Sequence, residues 1–203
     1  EYVRSLLGMI QENFTYESVF RYLRSGYCEF TEDEIDRLEN YCLALGIKGY
    51  KKWQQAWARK TKEADEEEVE KLNHLRVKFV EKIDPLMFVS RQKKKTVLDI
   101  TLAVYEFIAG EHLQEKLEQQ QKFFAEQGEL TLAKEYEQIY RIVMELFDKF
   151  SELLGDEPIT LKEYCELLDA GFEEAKVGVI PPSIDQVVIG DVERTRMKDI
   201  RAL

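Results

Sequence analysis

The sequence has 203 residues, of which 44% are hydrophobic and 34% are charged, and its formal net charge is −11. This length supports one large domain or two small ones with a sizeable core. The acidic balance excludes a protein whose whole surface binds nucleic acid, but it leaves room for a local basic patch. No apolar run approaches the length of a membrane span and no signal-peptide pattern opens the chain, so we expect no membrane contact.

The first sixty residues predict helices with clear start and stop signals. Thr15 is a capping residue before one helix, and Thr31 with Glu34 forms a capping box before the next. Gly26 and Gly46 follow the last apolar residues of these two helices, which favours helix ends there. The predicted helices cover residues 2–12, 16–25, 31–45 and 49–57.

Longer helical patterns fill the next hundred residues, at 64–84, 96–127, 130–154 and 160–175. The first is expected to end before Pro85, because proline removes a helical hydrogen bond. Gly110 and Gly128 are possible breaks in and after the second. The apolar positions in register predict a buried face that includes Leu98, Leu102, Tyr105, Ile108, Phe123, Phe124, Leu132, Tyr136, Ile139, Leu146, Phe147, Phe150 and Leu153.

The C-terminal segment differs from the helical part. Residues 177–184 contain Gly178, Pro181 and Pro182 and are predicted to be a linker, and 185–203 have the pattern of a strand, a charged turn and a second strand. A short strand without a partner cannot satisfy its backbone hydrogen bonds. We therefore expect a mainly α fold, with a multi-helix domain over 1–176 and a short β segment from a truncated sheet-bearing domain, as a piece of a longer protein.

The chemistry that the sequence lacks is informative. There is no Gly-x-x-x-x-Gly-Lys-[Ser/Thr] loop, no Gly-x-Gly-x-x-Gly and no His-Glu-x-x-His. His74 and His112 lie in helical pattern, and we assign both to structural roles. The segment by itself is expected to have no catalytic residue, no metal site and no cofactor.

The cysteines are Cys28, Cys42 and Cys165, odd in number and widely spaced, with no Cys-x-x-Cys pair. This usage is typical of free buried thiols in a reducing compartment, because disulfides persist in oxidising ones. We therefore predict a cytoplasmic protein without a disulfide framework.

Two clusters of basic residues are candidates for phosphate contact. Residues 48–62 hold six basic residues, no acidic one and three interleaved rings, Tyr50, Trp53 and Trp57. Rings among cations are able to stack on bases, although their i, i+3, i+7 spacing favours a core stripe instead. Six acids at 63–70 would weaken the positive field beyond a Debye length. The second cluster, predicted in a loop between helices, is Arg91, Lys93, Lys94 and Lys95.

Three stretches resemble a known family. They are Tyr16-Glu-Ser-Val-Phe-Arg-Tyr-Leu-Arg-Ser-Gly26, the segment from Asp36 to Trp53 with its Leu-Glu-Asn-Tyr and Gly-Ile-Lys-Gly, and Gly190-Asp-Val-Glu-Arg-Thr-Arg-Met-Lys-Asp199. Together they resemble the AddB family of bacterial AddAB helicase–nucleases, in the UvrD and RecB class. The resemblance implies a helical 2B-like insertion over 1–176, flanked by edges of a RecA-like 2A domain.

The resemblance also implies a role for the longer protein: ATP-dependent processing of DNA double-strand breaks for homologous recombination, with exonuclease activity, Chi recognition and an AddA partner in a heterodimer. The family's ATP and Mg²⁺ sites and its 4Fe-4S cluster are implied to lie outside these residues. Active helicases of the class carry Thr-x-His-x-x-Lys-Gly-Leu-Glu where this chain has Glu193 to Lys198. This departure implies a protein that reads DNA rather than drives it.

Arg194, Arg196 and Lys198 are then expected to face DNA or a neighbouring motor domain, with an interdomain ion pair as the alternative for the two arginines. A different hypothesis is a helical module that binds a partner protein and never touches DNA. The acidic balance favours this alternative, and the basic clusters favour the first.

Overall fold

The computed structural model describes residues 1–177 and contains nine helices in that range. An isolated bridge between Thr96 and Pro158 is the only β pairing among these residues. No helix in the described range is both long and apolar enough to cross a membrane. The helices are α1 (Tyr2–Gln11), α2 (Tyr16–Leu23), α3 (Glu32–Leu45), α4 (Tyr50–Gln54), α5 (Glu66–Arg91), α6 (Val97–Gly110), α7 (Leu113–Glu126), α8 (Leu130–Leu154) and α9 (Leu161–Val177).

The capping signals near the N-terminus act as predicted. The Thr15 side chain accepts a hydrogen bond from the Ser18 amide at the start of α2. Thr31 and Glu34 form both bonds of a capping box on α3. Gly46 ends α3 in the left-handed region at φ 62°, where a side chain would be strained. The helical fold class is confirmed for this part, and the predicted β segment at 185–203 lies outside the described residues, as does the 177–184 linker beyond Val177.

Helix α5 continues through Pro85, so the predicted end before that residue is wrong. Pro85 is exposed, and the carbonyl of Glu81 that loses its helical donor lies on an exposed residue where water is able to bond it. Leu86 and Met87 just beyond the proline are buried. Their packing offsets the cost of proline, about 3 kcal/mol in a helix interior, and the helix continues to Arg91.

The predicted 96–127 pattern is two helices. α6 ends at Gly110, and His112 then takes a left-handed conformation with φ 53° before α7 begins. The buried face of α6 also differs from the prediction. Leu102 and Tyr105 are exposed by 49% and 42%, while Ile100 and Val104 are fully buried.

The helical hairpin of α7 and α8 buries little of its outer half. Between Leu117 and Leu146 the only buried side chain is Ala133. The inner end of α8 packs on α6 and α9 and buries Leu146, Phe147 and Phe150, all three of which the sequence predicts. Four predicted core positions are instead exposed: Phe123, Leu132, Ile139 and Leu153.

A network of ion pairs connects α5 with the junction between α6 and α7. The Lys82 ammonium contacts the carboxylates of Glu29 at 2.7 Å and of Glu111 at 2.5 Å. Lys78 also pairs with Glu29, and Lys116 lies 3.6 Å from Glu111 while donating to the Tyr27 carbonyl. The Glu111 side chain is only 4% exposed. Two carboxylates and three ammonium groups thus tie the loop before α3 to the α6–α7 junction.

This network predicts sensitivity to acid. Hydrogen bonds from Lys82 and Lys78 lower the pKa of Glu29 from 4.5 to about 2. Because the folded pKa lies below the ordinary value, the stabilisation is complete above about pH 4.5 and is lost as pH falls towards 2. Urea unfolding from pH 6 to pH 2 should show a steeper loss of stability for the native chain than for Glu29→Gln. Glu152 is an exposed carboxylate without an ion pair in the described range, so Glu152→Gln should lose stability with falling pH as steeply as the native chain. Equal pH dependence of stability for all three proteins would contradict the role of Glu29.

Candidate nucleic-acid interface

Helix α4 and the C-terminal end of α5 meet at Tyr50. The Tyr50 hydroxyl donates to the Asp84 carboxylate, and the Arg91 guanidinium lies over the Tyr50 ring, 4.7 Å from its centroid. Lys51 and Lys52 follow Tyr50 directly in the chain. The structure therefore joins the start of the 48–62 stretch to the 91–95 cluster, which the sequence separates by about forty residues.

Six exposed cations flank this contact along the chain, and we call them together the basic surface. None of them lies within ion-pair distance of a carboxylate in residues 1–177. Arg91 is the last residue of α5 rather than part of the loop, which corrects the prediction, while Lys93 and Lys94 lie in the loop before α6. Lys95 is half-buried, and its ammonium donates to the Gln92 carbonyl. The basic surface consists of Lys48, Lys51, Lys52, Arg91, Lys93 and Lys94.

The rings of the 48–62 stretch belong to the core. Tyr50 and Trp53 are each 1% exposed and Trp57 is 8% exposed. Trp53 packs edge-on against Phe79, and Trp57 stacks on Tyr41. These rings are unable to stack on bases, so the core-stripe interpretation is confirmed. Trp57 nevertheless lies beyond α4, which ends at Gln54.

Two polar side chains of α5 hold this aromatic segment in place. Asn73 accepts from the Trp57 amide at 2.9 Å and donates to the Trp57 carbonyl at 2.7 Å. Arg76 is buried and donates to the Trp53 carbonyl at 2.7 Å, and burial lowers the pKa of its guanidinium. Because both ends of the segment are bonded to α5, α4 presents its lysines from a fixed position.

The acidic run lies at the other end of α5. Glu66 pairs with Lys60, and Glu68 pairs with Arg37 of α3. Glu68 and Arg91 are 23 residues apart on one helix, which corresponds to about 35 Å along its axis. This is more than three Debye lengths at about 0.1 M salt. The acidic run therefore offsets the positive charge at the Arg59–Lys62 end of the basic stretch, and it lies too far away to offset that of the basic surface.

Sequence reasoning missed one aromatic residue next to the basic surface. Phe88 is 70% exposed and lies one helical turn before Arg91 on α5. With Tyr50, Gln54, Asp84, Pro85, Met87, Arg91 and Gln92 it lines a shallow groove. Because the sequence predicts a helix end before Pro85, it assigns no helical face to Phe88. A helix continued past the proline would have placed Phe88 and Arg91 together at i, i+3.

The other residues that the sequence singles out are the C-terminal cations and the cysteines. Arg194, Arg196 and Lys198 lie outside the described residues. Cys42 is buried, and burial raises the pKa of its thiol; burial raises that of Cys165 to about 11. Among residues 1–177 no group of three or more potential ligands is placed to hold a metal ion.

Comparison with known proteins gives the same family along the whole chain, although no family model matches it. The chain is 46% identical over 206 residues to the B-subunit of the ATP-dependent helicase/deoxyribonuclease of Lachnoclostridium phytofermentans, covering 100% of this chain and 18% of that protein. The protein of the same name from Clostridium novyi is 39% identical over 202 residues, covering 99% of this chain and 17% of its own length. The chain belongs to the AddB family, as a homologue of one segment of these proteins.

A third AddB relative extends the comparison to another genus. The protein of the same name from Alkaliphilus metalliredigens is 38% identical over 218 residues, with 100% of this chain and 19% of that protein aligned. The family predicted from the three sequence stretches is thereby confirmed. The chain spans less than a fifth of the length of these relatives.

Proposed function

We propose that this chain is a non-catalytic, DNA-contacting part of an AddB protein that processes double-strand breaks for homologous recombination. In this proposal the longer protein pairs with an AddA-like partner and supplies ATP-dependent helicase and exonuclease activity, and Chi recognition, through other segments. ATP, Mg²⁺ and the 4Fe-4S cluster are assigned to those segments. The names of the relatives support DNA as the substrate.

The observation that carries DNA contact by this segment is the basic surface. In a chain with a net charge of −11, six exposed cations without an ion pair in residues 1–177 flank the contact between α4 and the end of α5. Long, solvated Lys and Arg side chains of this kind bind phosphates by releasing counterions. Arg194, Arg196 and Lys198 are proposed as further contacts to DNA or to a neighbouring motor domain.

Charge reversal tests this proposal. Replacing Arg91, Lys93 and Lys94 by glutamate should lower duplex affinity at about 50 mM salt by roughly 100-fold or more. It should also make the dependence of log K on log salt shallower by up to about 3, since each lost phosphate contact removes about 0.9 from the slope. Fluorescence anisotropy with a labelled duplex measures both quantities, and circular dichroism checks the fold.

A matched control lies in the same chain. Reversal of Arg59, Lys60 and Lys62 changes a similar number of charges beside the acidic end of α5, and it should change affinity by less than about 5-fold. Equal effects of the two sets would contradict a localised basic surface. The absence of duplex binding by the native chain at low salt would contradict DNA contact altogether.

A second candidate function is a helical module that binds the AddA-like partner without touching DNA. Exposed apolar residues near the tip of the α7–α8 hairpin favour it, above all Phe123 at 53% and Leu130 at 63% exposed. The same assay separates the candidates. Retained binding to an AddA-like protein with no duplex binding at low salt would support the second.

A further inference from the structure

Phe88 is exposed and lies between an acidic and a basic residue on α5. One turn towards the N-terminus lies Asp84, whose carboxylate is occupied by the Tyr50 hydroxyl. One turn towards the C-terminus lies Arg91, whose guanidinium is held over the face of Tyr50. Lys93 and Lys94 follow within three residues. Positive charge is therefore concentrated on one side of the ring.

Phe88 lies outside the core of the described residues, since its side chain is 70% exposed. The same helix turn buries Leu86 and Met87, at 1% and 3% exposure. An exposed phenylalanine leaves most of its ring in water, and stacking on a flat, weakly hydrated partner removes that contact. The partner must also be anionic on the side that faces Arg91.

We propose that Phe88 stacks on one base of a single-stranded DNA segment while Arg91, Lys93 and Lys94 hold its phosphates. This inference rests on the proposed function and names the form of DNA that the basic surface takes. A single strand offers both required features, because its bases expose their faces and its phosphates follow at regular spacing.

Duplex DNA fits Phe88 less well than a single strand. Each base in a duplex is already covered on both faces by its neighbours, so an exposed ring on a helix meets sugars and groove edges instead. A duplex still satisfies the cations, since phosphate contact is independent of strandedness. The two forms should therefore share the contribution of the basic surface and differ in the contribution of Phe88.

The same geometry predicts on which side of Phe88 the phosphate of the bound strand lies. Phosphate is expected on the Arg91 side of Phe88, because Asp84 places a carboxylate on the other side. The groove between α4 and α5, which Gln54 and Gln92 also line, then has room for the stacked base beside amide side chains that are able to bond its edge.

The test compares Phe88→Ala with the native 203-residue chain on three labelled probes: a short oligothymidylate, an abasic strand of the same length and a blunt duplex. Phe88→Ala should weaken oligothymidylate binding by roughly 5- to 150-fold, which is the range for loss of one stacked base. Its affinity for the abasic strand and the duplex should change by less than about 2-fold. The salt dependence should be unchanged, because no phosphate contact is lost.

Two further variants make the result specific. Phe88→Trp should retain or improve oligothymidylate binding, since it keeps a stacking face. Leu153→Ala, which removes an equally exposed apolar side chain on α8 (77% exposed), should have no effect on any probe. Because both positions are exposed, all variants should have the same melting temperature as the native chain.

The outcomes separate this inference from the proposed function. If Phe88→Ala binds all three probes like the native chain while charge reversal at Arg91, Lys93 and Lys94 abolishes binding, the stacking inference fails and DNA contact stands. Equal weakening on all probes would also overturn stacking. If the native chain binds none of the probes at low salt, both fail, and weaker binding of Phe88→Ala to an AddA-like protein would instead assign the ring to a protein interface.

Discussion

Replacing Phe147 by alanine should lower the free energy of unfolding by about 3–5 kcal/mol, the usual cost of removing a large buried ring. Phe147 is 4% exposed and lies on the part of α8 that packs against α6 and α9. The surrounding packing has little room to adjust, because Gly171 of α9 already approaches Leu146 and Phe150 so closely that an added Cβ would meet them. The cavity left by the ring should therefore remain largely open.

Urea unfolding followed by circular dichroism measures this loss. Phe123→Ala is the matched control, since it removes the same side chain from the outer part of the α7–α8 hairpin, where the ring is 53% exposed. Its cost should be under about 1 kcal/mol. A loss below about 1 kcal/mol for Phe147→Ala would show that this face of α8 is not core.

Removing the Lys82 ammonium should have the second-largest effect on stability. In Lys82→Met the buried Glu111 carboxylate keeps only Lys116 at 3.6 Å, and Glu29 keeps only Lys78. An incompletely paired buried charge is costly, and we expect a loss of about 2–4 kcal/mol. Removing the carboxylate as well should recover part of this loss, because the uncompensated charge is then gone.

The measurement is a double-mutant cycle with Lys82→Met, Glu111→Met and the combined variant. The combined variant should be more stable than the sum of the single effects predicts, by about 1–2 kcal/mol. Glu63→Met, at an exposed acid without an ion pair in the described range, provides the additive reference with Lys82→Met. Additivity within about 0.5 kcal/mol for Lys82 and Glu111 would mean that the two charges are not coupled.

The helix boundaries that the sequence predicts well are those set by local chemistry. Thr31 and Glu34 bond to backbone groups within three residues of each other, so their spacing alone is sufficient to place the start of α3. Gly46 ends the same helix because a left-handed residue without Cβ penalty is needed there. The family could also be predicted, since the three stretches that carry it are short and continuous in the chain.

The inward face of α6 was not predictable from local pattern. The segment Val97-Leu-Asp-Ile-Thr-Leu-Ala-Val-Tyr-Glu-Phe-Ile-Ala-Gly110 is apolar on most sides, so its periodicity does not select one face. The contacts with α5, α8 and α9 decide that Ile100 and Val104 are buried and that Leu102 is exposed. Tertiary packing makes the choice because several faces of this helix are similarly hydrophobic.

The sequence by itself determined a mainly helical chain, its capped helix starts, its family and the two basic clusters. Only the tertiary structure decided that α5 continues through Pro85, since the burial of Leu86 and Met87 outweighs a local cost that any pattern would count against the helix. That continuation carries Arg91 onto the ring of Tyr50. It brings Arg91 to α4, about forty residues away in the chain, and sets Phe88 one helical turn from Arg91. The contact between α4 and α5 depends on long-range packing, which no local sequence pattern reveals.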